Sequence, residues 1–146
     1  MNPILRNFGS ALAGLITGSL LNGMIIRYSH LLIPAPPGVD LTTEAGLQNA
    51  MQVMEPKHFL MPFLAHALGT MAGAMLAARL SNALRPSISI GILFLLGGIY
   101  MVKVLPSPLW FNVLDLSLAY LPMAWLGYRL GRKKMAAGIT KTSPRR

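Results

Sequence analysis

Five of the polar side chains in four mainly apolar stretches are of types that could do chemistry. They are Asn22, His66, Lys103, Asn112 and Asp115. An imidazole titrates near neutral pH, so a His66–Asp115 pair could bind a cation, relay a proton or orient a substrate. The competing interpretation is that these residues only hold helices together by satisfying one another's hydrogen bonds.

The elements that must position these side chains are four apolar stretches of about 20 residues, long enough to cross a hydrocarbon layer of roughly 30 Å. We predict transmembrane helices at about 8–27, 58–79, 87–105 and 109–129. Only 12% of the residues are charged, about half the roughly 25% that is typical of soluble domains. The sequence therefore predicts an all-α integral membrane four-helix bundle, with residues 1–134 as its single transmembrane domain.

The basic residues predict how this bundle is oriented, because Lys and Arg are enriched in cytoplasmic flanks. Seven of the 13 Lys and Arg residues lie from Arg129 onward, while Arg6 precedes the first stretch and Arg79 and Arg85 follow the second. We expect a multi-pass protein of the inner (plasma) membrane with both termini in the cytoplasm. Residues 135–146 are predicted to be a disordered basic cytoplasmic tail that contacts anionic lipid headgroups.

The first loop is predicted to contain one short helix. After a proline-rich segment at 34–38, the residues Leu47, Met51 and Met54 follow at the spacing of one helix face. We predict an amphipathic helix at about 42–54, ended by Pro56. Two positions remain open for it: on the outer membrane surface, or as a cap over the bundle.

Small residues recur every four positions in the first two stretches and predict close packing. The first has Gly14 and Gly18, and the second has Gly69 and Gly73. Such stripes allow helix backbones to approach in lipid. They could pack on each other or on the third and fourth helices. Contact within one chain is not distinguished from contact between chains, so a homo-oligomer or a membrane partner stays open.

The predicted topology brings the polar side chains to the same side of the membrane. Asn22, His66, Lys103 and Asp115 all converge on the outer leaflet, and Asn112 shares a face with Asp115. We predict that His66 and Asp115 meet, with Asn22 and Lys103 close by.

Phe111, Asn112 and Asp115 resemble the Phe-Asn-x-Ala-Asp segment of lipoprotein signal peptidase, a four-helix bacterial membrane aspartyl protease, with Leu114 in place of the Ala. The resemblance implies a catalytic role for Asp115. That chemistry needs a second intramembrane aspartate, and the only other one, Asp40, lies in the outer loop. In its layout, the whole chain resembles small four-helix bacterial inner-membrane proteins without an assigned activity.

Several classes of function are disfavoured by composition. The absence of cysteine removes disulfides and thiol chemistry, and His30, His58 and His66 form no zinc-binding spacing. We expect no cofactor and no metal. The positive charge is concentrated from Arg129 onward, where it indicates topology and lipid contact, so the net charge of +9 does not lead us to expect nucleic acid as a partner.

We therefore expect a non-catalytic small membrane protein that acts as an accessory, assembly or scaffold subunit and can self-associate. The alternative is a transporter or channel component with an outward-facing polar site at His66 and Asp115. A second alternative is a membrane enzyme that acts on lipid.

Overall fold

The computed structural model describes residues 2–133, and the predicted tail at 135–146 lies outside them. The described residues form α-helices, two short 3-10 turns (Ser29–Leu31 and Pro56–Phe59) and no strands. The α-helices are α1 (Pro3–Tyr28), α2 (Glu44–Val53), α3 (Leu60–Ser81), α4 (Leu84–Val104), α5 (Leu109–Leu118) and α6 (Leu121–Gly131).

Within residues 2–133, four helical stretches are long and apolar enough to cross a membrane, so the predicted all-helical fold with four such helices is confirmed. They are Pro3–Leu31, Pro56–Ser81, Leu84–Val104 and Leu109–Gly131. The first begins at Pro3 instead of residue 8 because the Asn2 side chain accepts a 2.9 Å hydrogen bond from the Ile4 amide. Many large apolar side chains remain exposed on the outward faces, among them Leu12, Ile16 and Leu20.

Successive long helices run in opposite directions, which gives the bundle two distinct ends. At one end, the Gln48 side chain donates to the Val104 carbonyl oxygen at 3.1 Å. At the other, the Lys133 amide donates to the Asn82 side chain at 3.0 Å. We call the first, which carries the long loop and the link 105–108, the loop end. The second carries the N-terminus, the link 82–83 and residue 133, and we call it the termini end.

The two glycine stripes pack against each other, which is the first of the two arrangements left open by the sequence. A Cβ atom placed on Gly18 would lie 2.7 Å from the carbonyl oxygen of Gly69. A Cβ atom on Gly73 would lie 2.5 Å from the carbonyl oxygen of Gly14. These separations leave no room for side chains, so α1 and α3 touch backbone to backbone.

A second close interface joins α3 to α6. A Cβ atom placed on Gly127 or Gly131 would collide with the backbone of Met71 or Met75, respectively. The helix α4 packs on the same central helix, because the Ser87 hydroxyl donates to the Ala74 carbonyl oxygen at 2.9 Å. Helix α3 is therefore the centre of the bundle, contacting α1, α4 and α6.

The fourth stretch is not the single helix predicted at 109–129. It is divided into α5 and α6, with Ala119 and Tyr120 between them. Pro122 has no N–H group, so the Leu118 carbonyl oxygen lacks the backbone donor that residue 122 would supply in a continuous helix. Tyr120 leaves the helical conformation (φ −113°, ψ −81°) and is buried, with 3% of its surface exposed. The break thus turns a tyrosine into the bundle.

The helix predicted in the first loop is α2, and its start is held by side chains. The Thr43 hydroxyl accepts a 3.1 Å hydrogen bond from the Gly46 amide. The Asp40 carboxylate accepts from the Thr42 amide (2.7 Å) and from the hydroxyls of Thr42 and Thr43. These hydrogen bonds, that of the Thr42 side chain first, lower the pKa of Asp40 below its ordinary value.

Helix α2 lies over the loop end, which corresponds to the capping arrangement. Its Gln48 side chain reaches Val104 at the end of α4. Leu47 and Met51, which predicted its apolar face, line a cavity together with Met101 of α4. The apolar face is therefore turned toward the bundle.

Candidate functional site

The contact predicted between His66 and Asp115 is present. The Nδ1 atom of His66, on α3, lies 2.9 Å from Oδ1 and 3.0 Å from Oδ2 of Asp115, on α5. Only 4% of the Asp115 surface is exposed. A buried carboxylate is costly unless it is hydrogen-bonded, and the imidazole supplies one of its partners.

Tyr120 supplies the other partner of this carboxylate. Its hydroxyl donates to Oδ2 of Asp115 at 2.8 Å and lies 3.1 Å from Nδ1 of His66. The rings of Tyr120 and His66 stack with centroids 5.7 Å apart. Gly98 of α4 makes room, because a Cβ atom there would lie 2.5 Å from the tyrosine hydroxyl. We call His66, Asp115 and Tyr120 the polar cluster.

One nitrogen atom of the polar cluster, Nε2 of His66, has no hydrogen-bond partner within the cluster. A carboxylate only accepts hydrogen bonds, so Nδ1 of His66 is the donor to Asp115, and in the neutral form of the imidazole Nε2 then carries the lone pair. Among residues 2–133, Nε2 has no hydrogen-bond partner, and 26% of the His66 side chain is exposed. The cluster therefore presents one hydrogen-bond acceptor outward.

The polar residues share one depth in the bundle. Each lies six residues from the loop-end terminus of its helix: Asn22 before Tyr28, His66 after Leu60, and Asp115 after Leu109. At 1.5 Å per residue this is about 9 Å below the helix ends.

A cavity of about 370 Å³ separates the polar cluster from the first loop, and we call it the loop-end cavity. Its wall is mostly apolar and includes Leu47 and Met51 of α2. Asp115 is the only Asp, Glu, Lys or Arg among the described residues that line it. The three histidines of the chain all line it as well: His30, His58 and His66. Such a mainly apolar space with a few convergent polar groups is typical of a small-molecule site.

The loop-end cavity is closed on one side by His58, which is buried. Its Nε2 atom lies 3.2 Å from the Pro34 carbonyl oxygen, and its Nδ1 atom accepts from the Glu55 amide at 3.0 Å. The proline-rich segment is thereby attached to the start of α3. Lys57 pairs with Glu55 at 2.9 Å, and their contact lowers the pKa of that exposed carboxyl.

A second cavity, of about 280 Å³, lies between α1 and α4, and we call it the side cavity. Asn22 lines it from α1, and Phe94, Gly97 and Tyr100 line it from α4. His66 and Tyr120 line both cavities. The polar cluster is therefore reached from two directions.

Of the other residues predicted for the site, Asn22 and Asn112 line the cavities and Lys103 does not. Asn22 lines the side cavity, and its Oδ1 atom is buried without a hydrogen-bond partner. Asn112 lines the loop-end cavity and holds the link 105–108, because the Ser107 hydroxyl donates to its Oδ1 atom at 2.5 Å. Lys103 is exposed, lines neither cavity and makes no ion pair within residues 2–133, so it is not brought to the cluster.

The geometry suits recognition of a hydrogen-bond donor or a cation more than it suits metal binding. Within residues 2–133, there is no group of three or more His, Asp or Glu side chains that could hold a metal ion.

Comparison with known proteins found no matching family model, curated protein or solved structure. The interpretation of the site therefore rests on its own geometry.

Proposed function

We propose that this chain is a non-catalytic, multi-pass protein of the inner membrane that binds a small organic ligand in its loop-end cavity, as the binding component of a transport or delivery system. The main support for this function is that the polar cluster lies in the wall of a cavity of about 370 Å³. A cluster that only joined helices would need neither this space nor an unsatisfied imidazole nitrogen. Both features support a ligand site over a purely structural contact.

A paired-carboxylate mechanism is disfavoured by how the Asp115 carboxylate is used. Its oxygens already accept hydrogen bonds from His66 and Tyr120. A paired-carboxylate mechanism would need a second acid at this depth, and the other acids of the chain, Asp40, Glu44 and Glu55, all lie outside the four long helices.

The proposed orientation has both termini in the cytoplasm and the loop-end cavity open to the outside. The termini end carries Arg6, Arg79 and Arg85 among its basic residues, while Asp40 and Glu44 lie at the loop end. This distribution supports cytoplasmic termini.

Because the chain has no cysteine, single introduced cysteines test this orientation without background. Pro37→Cys at the loop end should react with a membrane-impermeant maleimide on intact cells. Leu84→Cys at the termini end should react only after lysis. The reverse pattern would place the cavity on the cytoplasmic side and overturn the orientation.

Ligand binding is tested by extracting the protein from native membranes into lipid nanodiscs and identifying the small molecules that remain bound by mass spectrometry. Val102→Trp fills the loop-end cavity from α4, whereas Val113→Trp adds the same ring at an exposed position of α5. We expect at least one compound to be retained by the wild type and by Val113→Trp, and to be lost from Val102→Trp. Identical extracts from all three proteins would contradict the proposed binding function.

A further inference from the structure

The side cavity is formed beside the contact of α1 with α4, where α4 changes from a large side chain to a glycine. A Cβ atom on Gly18 of α1 would lie 3.0 Å from the ring of Phe94 on α4, so the helices touch there. One turn closer to the loop end, the corresponding residues are Asn22 and Gly98, and the space between the helices widens into the side cavity. Phe94 is thus the floor of the cavity.

The outer rim of the side cavity faces away from the bundle. Gly97, on this rim, has no atom within 4 Å of the position that a Cβ atom would take. Its neighbours on the rim are exposed: Tyr100 to 65% and Leu93 to 48%. At about 9 Å below the helix ends, this opening lies within the hydrocarbon layer of the outer leaflet in the proposed orientation. Its surroundings would then be lipid chains, not water.

Two side chains that line the side cavity, Asn22 and His66, have polar atoms without hydrogen-bond partners. The Oδ1 atom of Asn22 is buried without a partner, and its amide nitrogen makes no hydrogen bond within residues 2–133. The Nε2 atom of His66 is likewise open, and His66 lines the same cavity. Polar groups in hydrocarbon are expected to find partners, so these atoms indicate a polar group that arrives from outside the chain.

We propose that the ligand is a lipid-borne amphiphile with one apolar chain and a hydrogen-bond-donating head, a hydroxyl or an ammonium group, and that it enters laterally between α1 and α4. This inference rests on the proposed ligand-binding function. The head donates to Nε2 of His66, and the Asn22 amide nitrogen gives a hydroxyl head a second contact by donating to its oxygen. The chain lies along the exposed rim of α4, beside Leu93 and Gly97.

The charge of the site selects the head group. The described residues that line the two cavities include Asp115 and no Lys or Arg. A carboxylate or phosphate head would meet this anion without a fixed cation to balance it, and it would offer no proton to the imidazole lone pair. Hydroxyl and ammonium heads meet both conditions.

The experiment uses three photoactivatable probes with the same long alkyl chain, a diazirine in the chain, and a hydroxyl, amine or carboxylate head. The full-length protein in lipid nanodiscs is irradiated with each probe, and the labelled residues are mapped by mass spectrometry. We expect the alcohol and the amine to label residues 93–101 about fivefold more than the carboxylate, the ratio that corresponds to one ordinary hydrogen bond.

A matched pair of variants tests the lateral route. Gly97→Leu narrows the rim without a clash and should reduce the labelling of residues 93–101. Gly23→Leu adds the same side chain at an equally open position of α1 that lines neither cavity, and should leave the labelling unchanged.

Three results would overturn the inference. They are equal labelling by the carboxylate and the alcohol, labelling spread evenly over outward faces such as that of Leu12 and Ile16, and labelling of residues 47–54 that Gly97→Leu does not reduce. The last result would leave the proposed binding function intact, with access from the loop end. The absence of both specific labelling and co-purified compounds would contradict the binding function itself.

Discussion

The hydroxyl of Tyr120 donates a 2.8 Å hydrogen bond to the carboxylate of Asp115, five residues earlier in the chain. On one continuous helix these residues would be rotated by about 140° from each other and would point to different partners. Asp115 and Tyr120 both contact His66 because the chain leaves the helical conformation between α5 and α6. The break is therefore a part of the candidate site.

Removing the tyrosine hydroxyl should weaken the fold through the polar cluster. We expect Tyr120→Phe to lower the free energy of unfolding in mixed micelles by about 1–2 kcal/mol, because the buried Asp115 loses a hydrogen bond. The matched control is Tyr100→Phe, whose hydroxyl is on an exposed ring. Equal effects of the two variants would show that the Tyr120 hydroxyl contributes nothing specific.

The contact between His66 and Asp115 should appear as a coupling energy. In a double-mutant cycle with His66→Ala and Asp115→Ala, we expect the effects on unfolding free energy to be non-additive by about 1 kcal/mol. A second cycle that pairs Asp115→Ala with Lys103→Ala is the control, and it should be additive within about 0.5 kcal/mol because Lys103 is not at the cluster. Additivity in both cycles would remove the energetic significance of the His66–Asp115 contact.

The backbone contact of α1 with α3 should not tolerate a methyl group. A Cβ atom on Gly73 would lie 2.5 Å from the Gly14 carbonyl oxygen, so Gly73→Ala must separate the helices. We expect it to lower the unfolding free energy by about 1–3 kcal/mol. Gly97→Ala, in open space, should leave the value unchanged or raise it by up to about 1 kcal/mol. A destabilisation of the same size in both variants would indicate a helix-wide effect and no specific contact.

The start of α2 should weaken in acid. The hydrogen bonds from Thr42 and Thr43 hold the pKa of Asp40 below its ordinary value of 3.8. A lowered pKa means that the carboxylate stabilises the folded loop above pH 3.8, and that this contribution is lost as the pH falls through the lower, folded-state value. An NMR titration of the Asp40 carboxyl should show the lowered pKa.

Thr42→Val should return that pKa toward 3.8, since the side chain of Thr42 makes the largest contribution. Ser29→Ala removes a hydroxyl that bonds to the Ile26 carbonyl oxygen, away from Asp40, and should not change the titration. An unchanged Asp40 pKa in Thr42→Val would refute the assignment of the shift to this hydrogen bond.

The features that the sequence predicted are those that depend on repeated local patterns. The four long helices follow from apolar length, since few other arrangements bury backbone polar groups in so apolar a chain. The stripes of Gly14 with Gly18 and Gly69 with Gly73 pack together because only such positions allow close approach. The meeting of His66 with Asp115 follows from equal depth and the scarcity of other polar partners.

The parts that the sequence did not predict depend on one local break and on one long side chain. Tyr120 was missed because a continuous helix turns it away from Asp115, although Pro122 was a visible signal of the break. Lys103 was expected near the cluster from its depth alone, but it lies on an exposed face of α4. Depth follows from counting residues along a helix, whereas the facing direction also depends on how the neighbouring helices are rotated.

The short link between α3 and α4 has a mechanical consequence. Asn82 adopts a left-handed conformation (φ 54°) and its side chain accepts from the Lys133 amide, while the Ser81 hydroxyl accepts from the Ala83 amide. These bonds join the end of α6 to the link that precedes α4, and at the opposite end the Gln48 side chain holds the last residue of α4 through the Val104 carbonyl oxygen. Helix α4 is therefore tethered at both ends, so a change in its tilt beside Asn22 requires one of these hydrogen bonds to break.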